Sequence, residues 1–279
     1  MLGMTISRAP PHNDIRSAAT SDAGPSADAG GANVDAAEVE RFSRMAKEWW
    51  DIDGKFRPLH QIGPARLSFI RDALVANRAG VGAAAARTGL RVLDGLEILD
   101  VGCGGGLISE PLARLGATVT GIDPSQTNIA VAQSHALSQG LEIDYRAQTA
   151  EALATQGLTF DAVVCLEVIE HVPDPKAFLA VLATLTRPGG TLVVSTINRT
   201  LKAFALAIVG AEYVLRWLPP GTHQWDRFVT PEELTRYALS AGLSRPDYTG
   251  LVYEPLRDRW VLGRDTGVNY IAAIRQPAR

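Results

Sequence analysis

Two cysteines in 279 residues, Cys103 and Cys165, exclude a disulfide framework, and neither has the paired spacing of a zinc or redox motif. Both lie in apolar, strand-like runs, the setting of small buried hydrophobes in a reducing compartment. Long apolar runs are also missing, since no stretch reaches the roughly 18–20 residues that a spanning helix needs. Charge is nearly balanced, with 27 Lys and Arg against 30 Asp and Glu and a formal net charge of -3. The basic residues are scattered rather than blocked, so nothing points to nucleic acid. No basic start followed by an apolar run marks a secretory signal. Asp14, Asp22, Asp28 and Asp35 argue against a transit peptide, because such peptides avoid acids. The expectation is a cytoplasmic protein. Apolar residues make up 46% of the chain, enough for a full hydrophobic core.

Residues 1–34 are mostly Ala, Gly, Ser, Asp and Pro, with too little to bury, and are predicted to form a disordered leader. The domain is expected over 35–279. Val39, Phe42, Met45, Ala46 and Trp49 recur at helical spacing between Asp35 and Trp50. A loop with Gly54 and Pro58 follows, then a second helix over about 63–77. From Leu96 the pattern changes to short β-rich runs: 97–101, 118–122, 143–146, 162–166 and 191–196. Helical stretches at 107–115, 129–139 and 175–185 separate them. Strands apolar on both faces and alternating with helices indicate a parallel sheet covered on both sides. The fold class is therefore α/β, a doubly wound, mostly parallel seven-stranded sheet. An antiparallel C-terminal strand and an N-terminal helical extension complete it. Thr230, Pro231 and Glu233 form an N-cap, a first-turn proline and a capping box for a late helix. Strands over about 244–253 and 268–274 follow, joined by a loop.

The strongest local signal is Ile98-Leu-Asp-Val-Gly-Cys-Gly-Gly-Gly-Leu-Ile-Ser109. A buried strand runs into Gly102, Gly104, Gly105 and Gly106, and a helix begins directly after. Glycines there let the backbone approach a ligand, with free helix N–H groups nearby. Thr118-Val-Thr-Gly-Ile-Asp123 is a second strand ending in a carboxylate, which suits the two hydroxyls of a ribose. A dinucleotide fingerprint would need glycine at position 107, which is Leu107. The pattern present, with Asp100 ahead of the glycines, suits a ligand without a pyrophosphate, and Asp100 can face an amino group of a methionine moiety. Glu167, Glu170 and His171 follow the fourth strand, where open α/β sheets bind ligands. If this segment turns helically the three share a face. Three readings stay open: a hard divalent ion held by the three, polar lining, or His171 alone as a base.

These motifs resemble the class I S-adenosylmethionine-dependent methyltransferases. Phe160-Asp-Ala-Val-Val-Cys-Leu-Glu167 resembles the family's fourth strand, and Arg187-Pro-Gly-Gly-Thr-Leu-Val-Val-Ser195 its turn and fifth strand. More narrowly, the span from about 48 to 274 resembles the ubiquinone-biosynthesis O-methyltransferases. Carrying that resemblance are Trp49-Trp-Asp, Phe56-Arg-Pro-Leu-His60, Asp100-Val-Gly-Cys-Gly-Gly-Gly106 and Glu167-Val-Ile-Glu-His-Val-Pro-Asp-Pro175. Thr196-Ile-Asn-Arg199, Val209-Gly-Ala-Glu-Tyr213, Pro220-Gly-Thr-His223 and Val268-Asn-Tyr270 add to it.

The resemblance implies that S-adenosylmethionine is contacted by Arg66, Gly102, Asp123 and Leu166, with Gly104 and Asp100 in the same loop. It implies a magnesium site at Glu167, Glu170 and His171, a polyprenylated catechol or demethylubiquinol as acceptor, and association with other ubiquinone-biosynthesis enzymes. Chelation would lower the phenol pKa from about 10. His171 as general base is the alternative. Rival functions are a methyltransferase for another small phenol, amine or lipid, and a cofactor-binding scaffold without turnover. The helical insertion over about 200–222 is apolar across 201–218, with Lys202, Arg216, Tyr213 and Trp217. It is too short to span a membrane. It reads equally as a peripheral contact on the inner membrane face, a lid, or a dimer contact.

Overall fold

The computed structural model describes residues 33–80, 91–204 and 225–278. The leader up to residue 32, most of the insertion, and the Val209–Tyr213 and Pro220–His223 segments lie outside the described residues. At the leader's end Asn33 is buried. Its amide donates to the Asp174 carbonyl (2.8 Å) and accepts from the Asp174 N–H (2.6 Å).

Helix α1 (Ala36–Arg44) is N-capped by Asp35, which accepts from the N–H groups of Ala37 and Glu38. A 3₁₀ turn, Ala46–Glu48, continues it, so the expected apolar face is kept although the α-helix stops at Arg44. Phe42, Met45, Ala46 and Trp49 pack together with Phe56. Helix α2 runs over Arg57–Gly80, six residues earlier than glycine and proline punctuation suggested. Pro58 sits in its first turn, where the missing N–H has no partner to lose.

The remaining elements are β1 (Glu97–Val101), α3 (Ser109–Arg114), β2 (Thr118–Asp123), α4 (Gln126–Ser138), β3 (Asp144–Ala147), α5 (Ala150–Ala154), β4 (Phe160–Leu166), α6 (Pro175–Leu185) and β5 (Thr186–Ile197). A single turn, α7 (Leu201–Ala203), leads into the insertion. Beyond it come α8 (Pro231–Ser240), β6 (Asp247–Glu254), β7 (Arg259–Gly263) and β8 (Asn269–Arg275). The predicted capping box at α8 forms, with Thr230 Oγ1 and Glu233 each binding the other's backbone N–H.

The strand order is β3-β2-β1-β4-β5-β8-β6-β7. β1 to β5 are parallel, β8 pairs antiparallel with β5, and β6 pairs antiparallel with β8. The sheet thus has one strand more than expected. Where the sequence predicts only a loop between the last two strands, the chain forms β7, an edge strand paired antiparallel with β6. Neighbouring strand residues part to opposite faces. Leu99, Val163 and Val194 pack with Leu153, Leu179 and Leu234 on one side, while Ile98, Val164 and Val193 pack with Ile70, Leu74 and Leu112 on the other. The order reverses at β1, which has β2 on one side and β4 on the other. A crevice opens there at the carboxyl ends of the strands.

Candidate active site

The sequence leaves β1 at Val101 and turns through Gly102 (φ 71°) and Gly104 (φ 53°), both in the left-handed region that favours glycine. The N–H groups of Gly102 and Cys103 both donate to Ile122 O, at 2.8 and 3.0 Å, which ties the loop to β2. A Cβ on Gly102 would lie 2.4 Å from Val168 Cγ2, and one on Gly104 would lie 2.4 Å from the Trp49 ring.

Asp123, at the end of β2, is buried and reaches back to this loop. Gly104 N–H donates to its Oδ2 (3.1 Å), while Ser125 N–H (2.9 Å) and Asn128 Nδ2 (3.2 Å) donate to Oδ1. Burial raises its pKa, and those three donors counter the rise. Asp100 is buried beneath the loop, where it accepts from Ser109 Oγ at 2.6 Å. Loss of water pushes it up to about 6.

Trp49, expected on the apolar face of the first helix, and Trp50, which the sequence marked only by family resemblance, sit directly on this apparatus. Trp49 stacks on Phe56 with ring centroids 3.8 Å apart and donates from Nε1 to Asn128 Oδ1 (3.0 Å). Trp50 donates to Gly105 O (2.9 Å) and stacks on His135, whose Nδ1 is 2.6 Å from buried Glu110. The Gly104 and Gly105 positions lacking a side chain are where Trp49 lies, and no local pattern would have revealed that contact.

Leu166 ends β4 as a half-buried wall, and Glu167 follows with φ 54°, a left-handed backbone unusual for glutamate. Glu167 Oε1 is 2.6 Å from Arg66 Nη2 and accepts from Ser195 Oγ at 2.8 Å. Arg66 is buried, and its Nε–H has no partner.

Beyond Glu167 the chain makes only a 3₁₀ turn, Ile169–His171. Glu170 is buried with both carboxylate oxygens unpartnered, and its pKa is pushed up to about 7 by loss of water and then by the charge of Glu167. His171 places Nδ1 2.9 Å from Glu38 Oε2 and its ring against the edge of Phe42. Burial opposes charge on His171, yet the Glu38 hydrogen bond and the nearby Glu170 leave its pKa raised.

The helical turn on which a shared face for Glu167, Glu170 and His171 depended does not form. A left-handed residue begins the segment, Glu167 is engaged by Arg66, and His171 by Glu38. Among the described residues no three His, Cys, Asp or Glu side chains gather as a metal site requires. The three fit no common divalent ion in this arrangement.

Arg66, Asp100, Gly102, Gly104, Asp123, Leu166, Glu167, Glu170 and His171 all border a single cavity of about 770 Å³. Its farther reaches are bounded by apolar residues such as Ile62, Leu251 and Trp260. The size and apolar walls match a small-molecule site.

The methyltransferase-domain family matches residues 99–194. A ubiquinone biosynthesis O-methyltransferase of Chelativorans sp. (strain BNC1) is 56% identical over 244 residues, 88% of this chain and 94% of that protein. One from Brucella anthropi is 53% identical over 247 residues, 88% of this chain and 97% of the relative. Among solved structures, magnesium protoporphyrin IX methyltransferase from Synechocystis PCC 6803 with bound SAH is similar, with a TM-score of 0.56 and 25% identity. That match covers 85% of this chain and 94% of the other.

Proposed function

This chain belongs to the ubiquinone biosynthesis O-methyltransferases, and from that premise we propose that it moves a methyl group from S-adenosylmethionine to a phenolic hydroxyl of a polyprenylated catechol or demethylubiquinol. The observation that carries this reading is that Asp123 and His171 border the same cavity. A carboxylate suited to a ribose and an imidazole suited to a phenolic proton thus share one space.

The residues fit the donor molecule. Asp123 has about four acceptor positions, three of them taken by Gly104, Ser125 and Asn128, and offers the remainder to ribose hydroxyls. Arg66, with a spare Nε–H, suits the carboxylate of the methionine moiety, and Leu166 walls the adenine. The bound donor supplies a positively charged sulfonium whose methyl carbon is the electrophile. The protein's contribution is then alignment, exclusion of water and removal of one proton. His171 takes that proton: with Nδ1 engaged by Glu38, Nε2 is the ring nitrogen left to accept it. The phenolic oxygen forms its bond to the methyl carbon as the carbon–sulfur bond breaks, and the electron pair stays on sulfur.

No step is assigned to magnesium, because Glu167 is paired with Arg66 and His171 with Glu38. Peripheral membrane contact through 201–218 belongs to the same proposal. Leu201 and Phe204, at the described start of the insertion, and Trp225, just beyond it, are exposed. No helix among the described residues is long and apolar enough to cross a membrane.

The deciding experiment is methyl transfer from labelled S-adenosylmethionine to a short-chain prenylated catechol, with and without a chelator. Turnover that survives the chelator and is lost in His171→Ala supports the reading. Turnover abolished by the chelator and restored by magnesium would replace the imidazole with a metal ion.

A further inference from the structure

Helix α1 contributes a carboxylate to a site otherwise built from the carboxyl ends of the sheet. Glu38 lies in the first turn of α1, and its side chain is 15% exposed, whereas Glu40, two residues on, is 69% exposed. The chain thus buries one of two neighbouring glutamates, and it does so beside His171. Glu38 Oε2 is 2.9 Å from His171 Nδ1 and 2.5 Å from Arg41 Nη2. Phe42, one turn further along α1, places its ring edge-on to the same imidazole at 5.6 Å.

The helix is held at three separate points. Asp35, its N-cap, pairs with Arg227 at 3.1 Å. Asn33 exchanges two hydrogen bonds with the Asp174 backbone, three residues after His171. Ser43 Oγ is 2.6 Å from Ser125 Oγ, two residues beyond Asp123 at the start of α4. These contacts fix the distance between Glu38 and the imidazole.

We propose that Glu38 is a positioning residue for His171, so that docking of α1 completes the proton-accepting side of the site. A carboxylate that receives Nδ1–H fixes the tautomer in which Nε2 carries the lone pair, and it also fixes the plane of the ring. Removing it leaves the ring free to turn and to hold its proton on the wrong nitrogen. This inference rests on the reading of His171 as proton acceptor.

The test uses the full chain in three variants, Glu38→Ala, His171→Ala and the double substitution. Methyl transfer to the prenylated catechol is measured together with S-adenosylmethionine affinity. Positioning of the base is expected to account for on the order of 10–100-fold here, a fraction of the roughly 10²–10⁴ that general acid–base catalysis supplies as a whole. Glu38→Ala is expected to lower kcat by that factor, with the Kd for S-adenosylmethionine within about twofold of the parent. The double variant should be no slower than His171→Ala, because two residues acting as a unit are not additive. Glu38→Gln, which keeps an acceptor at the same place, should recover part of the loss, and a folded Gln variant also guards against simple loss of α1. Losses that multiply in the double variant, or Glu38→Ala at the parent rate while His171→Ala is slow, would overturn the role of Glu38. His171→Ala at the parent rate would instead overturn the general-base reading itself.

Discussion

Arg66 and Glu167 form an ion pair of 2.6 Å in the cavity wall, with 5% and 18% of their side chains exposed. Removing one member of a buried pair strands the other, at a cost of about 3–5 kcal/mol. Glu167→Ala is therefore expected to lower unfolding stability by about 3 kcal/mol, the low end because Glu167 keeps some water. The double variant Arg66→Met with Glu167→Leu should lose less than Glu167→Ala alone. Urea unfolding reads both, and a double variant weaker than the single one would contradict the assignment.

Asp123 collects three donors and stays buried, an arrangement that holds an anionic acceptor ready. Asp123→Asn reverses part of its hydrogen-bonding and removes the charge. Hydrogen bonds to charged groups are worth about 1.5–3 kcal/mol, so S-adenosylmethionine binding should weaken by roughly 10- to 100-fold. Calorimetric titration decides the point, and an unchanged Kd would remove Asp123 from the donor site.

Gly102 carries both a left-handed φ and no room for a methyl group, with Val168 Cγ2 2.4 Å from the Cβ position. Gly102→Ala should destabilise the fold and weaken cofactor binding. Adding Val168→Ala relieves the clash but not the backbone, for which left-handed alanine costs about 1–2 kcal/mol. The pair of variants should therefore recover only part of the melting temperature. Full recovery would show that the loop tolerates a side chain at 102.

Glu170 has its pKa pushed up to about 7 by burial and by Glu167, above the ordinary value of 4.5. Between those values the folded chain holds a proton that the unfolded chain has lost. Stability then falls as pH rises from about 4.5 to about 7 and levels off above. Glu170→Gln removes that slope, so it should be more stable than the parent at pH 8 and nearly equal to it at pH 4. Denaturant midpoints measured across this range check the sign, and parallel curves would mean that Glu170 is not the buried acid responsible.

Much of the scaffold was legible because local signals agreed with the final environment. Pro175–Leu185 is helical over the expected residues, capped by Asp174, and the α8 capping box lies where Thr230 and Glu233 mark it. The glycine loop and Asp123 were readable because both depend on short-range geometry at strand ends. The directions of Glu167, Glu170 and His171 were not. Helical spacing assumes helical backbone, whereas Glu167 is left-handed and the following turn is 3₁₀. His171 also takes its partner from a helix more than 130 residues earlier, and Glu38 looks like any other first-turn acid in its own sequence context. Arg66 came from family resemblance alone, because a helix arginine is normally a surface residue. The β7 strand was missed because its pairing with β6 is an edge contact between two half-buried stretches.

The place of β8 has a consequence for assembly during synthesis. Within the sheet, among the described residues, the β6–β7 hairpin joins the parallel strands through β8, which follows both hairpin strands in the chain. Until β8 is made β5 has an open edge, and a finished hairpin waits beside it with an unpaired edge of its own. The nascent chain is therefore most exposed to wrong strand pairing in the interval before β8 is made. Closure of the sheet is a final, non-local step that the order of translation postpones.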